Sequence, residues 1–396
     1  MKHGPTDRPR IYLDNAATSW PKPAAVYEAV DDYQRHFGAP AGRSGYAEAV
    51  TVTQEVAAAR LKVARLVDLS DPAHLIFTAN GTDSLNLVIH GLLKAGDHVI
   101  TSVVEHNSVL RPLQLLEDIG QVTVTHVGVD RSGTIDPAEV RAAIRPATRL
   151  IAIAHASNVT GAVQPIEDVG CIAREAGALV LCDAAQTVGH MAVDIEQLQV
   201  DFLAASGHKG LLSPLGTGVL AMRPRAAHLL QSVRQGGTGT RSEETRQPND
   251  LPSKFESGSL NVPGILGLAA GVGFLEERGL DTIAREGQEL VGRLIEGLSR
   301  IEGLRVLGPP AAGRRVPLVS IVVDGYDPQE VALSLDAAYR IQVRPGLHCA
   351  PLMHRRLGTH ETGGTVRFSL GPFTTADQID TTIEAVSEIA RSKMRI

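Results

Sequence analysis

At 396 residues, 43% hydrophobic and 21% charged, the chain is long enough to bury a large core and to divide into two domains, with the make-up of a soluble globular protein. A net charge of −6 argues against the basic footprint of a nucleic-acid-binding chain, and no apolar run reaches membrane-spanning length. The three cysteines, Cys171, Cys182 and Cys349, are too few and too far apart for a disulfide framework or a finger-type zinc site, so no metal is expected.

Met1 to Arg10 is polar and lacks the apolar core of a signal peptide, which makes a cytoplasmic location the expectation. Tyr12-Leu-Asp-Asn-Ala-Ala-Thr18 reads as a short strand running into a polar turn. Trp20-Pro-Lys-Pro23 punctuates it before a helical pattern from Ala24 to about Phe37, which Gly38 closes. A glycine-flanked loop, Gly42-Arg-Ser-Gly-Tyr46, carries Arg43, and Ala47 to Val67 forms a long amphipathic pattern.

A repeated rhythm then sets in, in which a β-rich run meets a small-residue turn and a helix. Leu75 to Thr78 leads into Asn80-Gly-Thr82 and a helix through His90; His98 to Val103 leads into Glu105-His-Asn107 and a helix around Leu110 to Ile119. Val122 to Val127 is another strand, Arg149 to Ala154 leads into His155-Ala-Ser-Asn158, and Ala178 to Cys182 leads into Asp183-Ala-Ala-Gln186. Asp201 to Ala205 ends in Ser206-Gly-His-Lys-Gly210, and Gly216 to Met222 follows closely enough to return antiparallel. Seven such strands alternating with helices predict an α/β fold with a mainly parallel sheet covered on both faces.

Gly236 to Lys254 is polar, glycine-rich and too long for an ordinary connection, which suits a functional loop or a subunit contact. Beyond it the pattern becomes α+β: helices after Pro263 and from about Thr282 to Ile301, strands at Pro317 to Val323, Ile341 to Arg344 and Val366 to Leu370, and helices near Pro328 to Asp336 and from Ala376 to Ser392. The expected division is a large domain over 19–262 and a smaller one made of 1–18 and 263–396.

Ligands of an open parallel sheet bind beyond the carboxyl ends of its strands. Thr82, His106, Asn158, Asp183, Gln186, Ser206, His208 and Lys209 all fall there. Together they match the needs of pyridoxal phosphate. Gly81 and Thr82 at a helix start, with Ser206 and His208, suit a phosphate. Asp183 suits the pyridine nitrogen, the His106 imidazole suits the ring face, Asn158 and Gln186 suit the ring hydroxyl, and a lysine held among small residues suits a covalent link to an aldehyde.

On these residues the chain resembles a class V aminotransferase, of the cysteine desulfurase and selenocysteine lyase branch. The motifs are Tyr12-Leu-Asp-Asn-Ala-Ala, Phe77-Thr-Ala-Asn-Gly-Thr, Glu105-His-Asn, Ser157-Asn-Val-Thr-Gly, Asp183-Ala-Ala-Gln, Ser206-Gly-His-Lys, Phe255-Glu-Ser-Gly-Ser and Arg344-Pro-Gly-Leu-His-Cys-Ala-Pro. The resemblance implies a fold type I transferase that dimerises with itself, with Ser259 reaching the partner's cofactor phosphate where the family usually has threonine. It also implies that Cys349 accepts sulfur from L-cysteine, that Arg367 grips the substrate carboxylate, that Asn15, Arg43 and Arg344 belong to the substrate side, and that a protein or thiol takes the sulfur onward. Cys171 and Cys182 read as structural.

Leu347 stands where the family often has the first histidine of a pair, and Tyr46 where histidine is common. A lyase acting on selenocysteine or another sulfur amino acid is therefore the alternative. A nicotinamide-dependent oxidoreductase is opposed by Thr78-Ala-Asn-Gly-Thr-Asp83, which lacks the glycine spacing of a dinucleotide fingerprint. A non-catalytic sulfur carrier would leave Lys209 and Asp183 without a use.

Overall fold

The computed structural model describes residues 9–42 and 44–393. The chain begins with β1 (Ile11–Tyr12) and α1 (Ala24–Asp32), whose last turn widens into a π-helical segment, Tyr33–Phe37, closed by Gly38 at φ 56°. Next comes α2 (Ala47–Leu66). The strand–helix rhythm follows as β2 (Leu75–Thr78), α3 (Gly81–Leu92), β3 (Asp97–Ser102), α4 (Asn107–Asp118), β4 (Val122–Val127), α5 (Pro137–Ala142), β5 (Thr148–Ala154), α6 (Ile166–Ala176), β6 (Leu179–Asp183), β7 (Phe202–Ser206) and β8 (Gly218–Met222). The remainder is α7 (Pro224–Ala227), α8 (Val262–Arg278), α9 (Leu280–Leu298), β9 (Leu304–Leu307), β10 (Leu318–Val323), α10 (Pro328–Tyr339), β11 (Ile341–Gln342), β12 (Arg344–Gly346), α11 (Pro351–Leu357), β13 (Thr365–Ser369) and α12 (Ala376–Lys393).

β2 to β8 form one seven-stranded sheet in the order β2-β8-β7-β6-β5-β3-β4. β8 alone runs antiparallel, to both β2 and β7, as its short connection predicts. Successive side chains point to opposite faces, so each strand feeds two cores: Leu203 and Ala205 of β7 enter one, Phe202 and Ala204 the other. Cys182 is fully buried in the first of these, consistent with a structural thiol. From β3 the chain steps outward to β4, then returns to the other side of β3 to lay down β5, β6 and β7. That reversal opens a crevice at the carboxyl ends of β3 and β5, where an open sheet of this kind binds ligands.

A third core gathers Ile11 and Leu13 with residues of α9, β10, α10, β13 and α12, beside an antiparallel sheet β12-β13-β10-β9. The single strand predicted over Ile341 to Arg344 is two: β11 pairs with β1, and β12 pairs with β13, so Val343 marks a change of partner. β9 carries no clear alternation because most of it is only half-buried. Gly236 to Lys254 contains no helix or strand and is held by local turns and by the Gln247 side chain, which bonds Gly236, Ser253, Lys254 and Ser257. Among the described residues no helix is long and apolar enough to cross a membrane.

Candidate active site

The stretch after β7 is fixed by its backbone. The His208 carbonyl accepts from the Ser19 amide (2.9 Å), the Thr18 and Ser19 hydroxyls (3.2 and 3.1 Å) and Lys22 Nζ (3.0 Å), so the segment after β1 clamps the turn that carries Lys209. The glycines are there for close approach: a Cβ on Gly207 would lie 2.2 Å from Thr217 Oγ1, and one on Gly210 2.2 Å from the Val188 carbonyl. Lys209 thus emerges at a fixed point. Burial pushes its amine down to about 8, with Asp183 pulling the other way.

A cleft of about 320 Å3 opens beside it. One end is the start of α3. Asn80 caps this helix by accepting from the Asp83 amide, Ser206 Oγ accepts from the Gly81 amide at 3.2 Å, and a Cβ on Gly81 would strike Ser206 Oγ at 2.5 Å. Buried beside it, His208 Nδ1 has no protein partner, and burial with the nearby Lys209 and Lys22 pushes the imidazole down to about 4. Amides, a hydroxyl and an imidazole at a helix start form a bed for an anion.

The middle of the cleft is lined by His106, Asn158, Asp183 and Gln186. His106 caps α4, its Nδ1 accepting from the Ser108 amide at 3.1 Å, and burial with the surrounding cations drives its pKa down to about 4, so the ring is neutral. Ser108 in turn shares a 2.7 Å hydrogen bond with Thr82, tying the two helix starts together. Asp183 Oδ1 accepts from the Ala185 amide, and burial raises the carboxyl pKa against the pull of Lys209. The side-chain amides are partly engaged already: Gln186 donates to the Ala16 carbonyl (3.2 Å) and Asn158 to the His348 carbonyl (2.6 Å).

Arg344 and Arg367 close the cleft from the other unit, directly opposite each other on β12 and β13. Like charges facing across strands are unfavourable unless an anion joins them. Asp14 supplies part of that charge, accepting from Arg367 Nη2 at 2.9 Å, while Nη1 bonds the Asn158 carbonyl at 3.1 Å and Nε is left without a partner. Arg344 Nη2 lies 3.6 Å from Cys349 Sγ. His348 and Cys349 both have positive φ, 47° and 59°, an unusual conformation for side-chain-bearing residues. Each carbonyl of the pair is held from the large sheet's side: Asn158 Nδ2 on His348, and the Asn107 amide on Cys349 at 2.7 Å.

Gly81, Thr82, His106, Asn158, Asp183, Gln186, Ser206, His208, Lys209, Arg344 and Arg367 therefore meet in one cleft, whereas Cys349, Asn15 and Ser259 do not line it. Asn15 is buried with its amide engaged by Tyr12, Ser369 and Trp20, so it braces the segment after β1 and does not face the cleft. Ser259 is exposed and lines separate grooves beside Glu256 and Leu260. Arg43 lies outside the described residues. Sequence reasoning also passed over Asp14, Ser108 and Glu105. Asp14 and Glu105 stood inside quoted motifs, and Ser108 immediately followed one.

The donor set fits pyridoxal phosphate: an anion bed with an unpartnered buried His208 nitrogen, a carboxylate at Asp183, a flat neutral imidazole at His106 and an amine at Lys209. Comparison with known proteins agrees with the motifs. The model of the family described as aminotransferase class-V matches residues 11–382. A probable cysteine desulfurase of Methanothermobacter thermautotrophicus is 37% identical over 390 residues, covering 98% of this chain and 96% of that protein. One of Pyrococcus abyssi is 35% identical over 388 residues, covering 96% and 94%. Of solved structures, an apo cysteine desulfurase from Thermococcus onnurineus matches with a TM-score of 0.91 at 34% identity, covering 97% of this chain and 95% of that one. A cysteine desulfurase from Escherichia coli matches at 0.86 and 29%, covering 99% of each.

Proposed function

This chain belongs to the class V aminotransferase family, in its cysteine desulfurase branch, and we propose that it is a pyridoxal phosphate-dependent enzyme that converts L-cysteine to L-alanine and leaves the sulfur as a persulfide on Cys349. The observation that carries the reading is the convergence of Lys209, Asp183, Arg344 and Arg367 on one cleft whose Arg344 touches Cys349.

Bound there, pyridoxal phosphate supplies an aldehyde that links to amines and a ring that draws electrons from the substrate Cα. The start of α3, with Ser206 and His208, would hold its phosphate. Asp183 would hold the proton on the ring nitrogen, His106 would cover a ring face, and Asn158 and Gln186 would address the ring hydroxyl. Lys209, whose amine pKa burial lowers to about 8, would carry the covalent link to the aldehyde and is the residue placed to take the substrate Cα proton. Arg367 and Arg344 orient the substrate carboxylate, with Arg367 shared with Asp14. Cys349 Sγ attacks the substrate sulfur, whose bond to Cβ breaks; the neutral His106 ring assists proton transfer.

The same reading includes a large domain over 19–262 and a small one of 1–18 and 263–396, a cytoplasmic homodimer in which the exposed Ser259 serves the partner's site, and a protein or small thiol that collects the sulfur. Arg43 belongs to the substrate side in this scheme. Leu347 beside His348 favours a second reading, a lyase for selenocysteine or another sulfur amino acid. Incubation with cysteine, cystine and selenocysteine, with alanine and pyruvate measured, separates the two: alanine from cysteine supports desulfuration, and pyruvate without alanine overturns it. Borohydride treatment of the yellow enzyme should leave a cofactor adduct on Lys209, detected by mass.

A further inference from the structure

Cys349 does not line the cofactor cleft; it lines a second groove of about 480 Å3 on the far side of His106. The two cavities share Thr82, His106 and Ser108, and the Thr82–Ser108 hydroxyl pair stands between them.

The groove is a helix seam. Thr82, Asn86 and His90 recur every four residues on α3, and Asn107, Arg111 and Leu115 do the same on α4, so each helix presents one stripe to it. The seam begins at the sulfur, since the Asn107 amide holds the Cys349 carbonyl. One turn out stands Arg111, exposed and in no ion pair with any of the described residues, with His90 lining the same groove from α3; one turn further, Leu115 is 54% exposed. No carboxylate lines the groove among the described residues. Nucleophile, cation and apolar end thus follow one another at helical-turn spacing, about 5–6 Å.

We propose that this seam is the binding site for the sulfur acceptor, and that it takes a small thiol carrying a carboxylate. The inference rests on the function proposed above. The acceptor's carboxylate meets Arg111, its short carbon chain spans the one-turn step between Arg111 and Cys349, and its thiolate reaches the outer sulfur of the Cys349 persulfide. A bond forms between the acceptor sulfur and that outer sulfur, the bond to Sγ breaks, and Cys349 leaves as a thiolate. Acceptor persulfide and free Cys349 are the products, and no oxidant or reductant is consumed. Substrate and acceptor have separate approaches, so an acceptor can wait in the seam while the cleft is occupied.

The test is single-turnover. Holoenzyme is loaded with cysteine, excess substrate is removed, and loss of the extra sulfur from the Cys349 peptide is followed by mass spectrometry with 3-mercaptopropionate, 2-mercaptoethanol or cysteamine. Each thiol is compared between wild type, Arg111→Gln and Arg111→Glu, which cancels differences in intrinsic reactivity. Arg111→Glu should slow the anionic thiol about tenfold and speed the cationic one, with Arg111→Gln between them and 2-mercaptoethanol nearly unchanged. Propionate should slow transfer in wild type by occupying the seam. Equal effects on all three thiols, or none, overturn the site. Failure to form alanine and load Cys349 at all overturns the function proposed above instead.

Discussion

The two sides of the cleft are built by opposite means. Around Lys209 the chain is pinned by four donors on one carbonyl and by glycines whose neighbours leave no room for a Cβ. Around Cys349 two successive residues sit at positive φ, and the sulfur is only half-buried, held by bonds to two carbonyls and a 3.6 Å contact with Arg344. A cofactor bed gains from immobility, because charges fixed in advance need no reorganisation when the reaction occurs. A sulfur carrier must serve two cavities in turn, so the loop bearing it is stiffened at its backbone and through the His348 side chain, while Cys349 itself stays half-buried.

The sharpest way to break this contrast is to remove one reactive group from each side. Lys209→Ala and Cys349→Ala should each lower alanine formation from cysteine by more than about 10^3-fold. The spectra should diverge. Cys349→Ala keeps the yellow band and its borohydride adduct on Lys209, whereas Lys209→Ala has no such adduct. Cys349→Ala should also retain turnover of selenocysteine, whose selenium leaves without a thiol acceptor. Full activity on cysteine without Cys349 would show that the persulfide route is wrong.

The same asymmetry governs what could be read from the sequence. On the Lys209 side every group follows an apolar run by a few residues, so strand ends such as Asp183 and Ser206 announce themselves locally. β8 was legible for the same reason, its connection being too short for a crossover. On the Cys349 side the decisive contacts are long-range: Arg367 meets Asp14 across 353 positions, and Asn158 reaches His348 across 190. No spacing rule reports such pairs. The change of partner at Val343 and the bracing role of Asn15 were hidden likewise, since each depends on where a distant strand docks.

Glu105 tests how deeply the bed is preset. It precedes His106 in the chain and lies fully buried, with Oε1 accepting from Ser102 and the Ala154 amide and Oε2 without a partner among the described residues. Burial, with a further push from Asp183, raises its pKa from 4.5 to about 8, so the folded protein binds this proton more tightly than the unfolded chain does. Glu105 therefore contributes stability below about pH 4.5 that is lost as pH rises towards 8. Glu105→Gln removes that loss. In denaturant titrations of the apo protein, the variant's advantage should grow across this window to about 3 kcal/mol, allowing for relaxation around a buried carboxylate. A pH-independent difference would mean that Glu105 is ionised throughout.

Asp183→Asn should be next in size, lowering kcat by about a hundredfold, since an amide cannot stabilise a protonated ring nitrogen as a carboxylate does. Its effect should fall equally on cysteine and selenocysteine, because both reactions draw electrons into the same ring.

The smallest effect probes the other side. His348 Nε2 shares a 2.8 Å hydrogen bond with the Thr365 hydroxyl, both residues being buried. Thr365→Val keeps the shape and β-propensity of β13 but leaves Nε2 unpaired, a cost of about 1–2 kcal/mol. Part of that cost should appear as freedom of the neighbouring Cys349, because the positive φ of His348 is held only while its surroundings over-determine it. Sulfur transfer to Cys349 should fall about tenfold, while the absorbance of the bound cofactor and turnover of selenocysteine stay near wild type. Equal losses on both substrates would mean that the Cys349 loop and the Lys209 bed are one mechanical unit, and that the contrast between them is not functional.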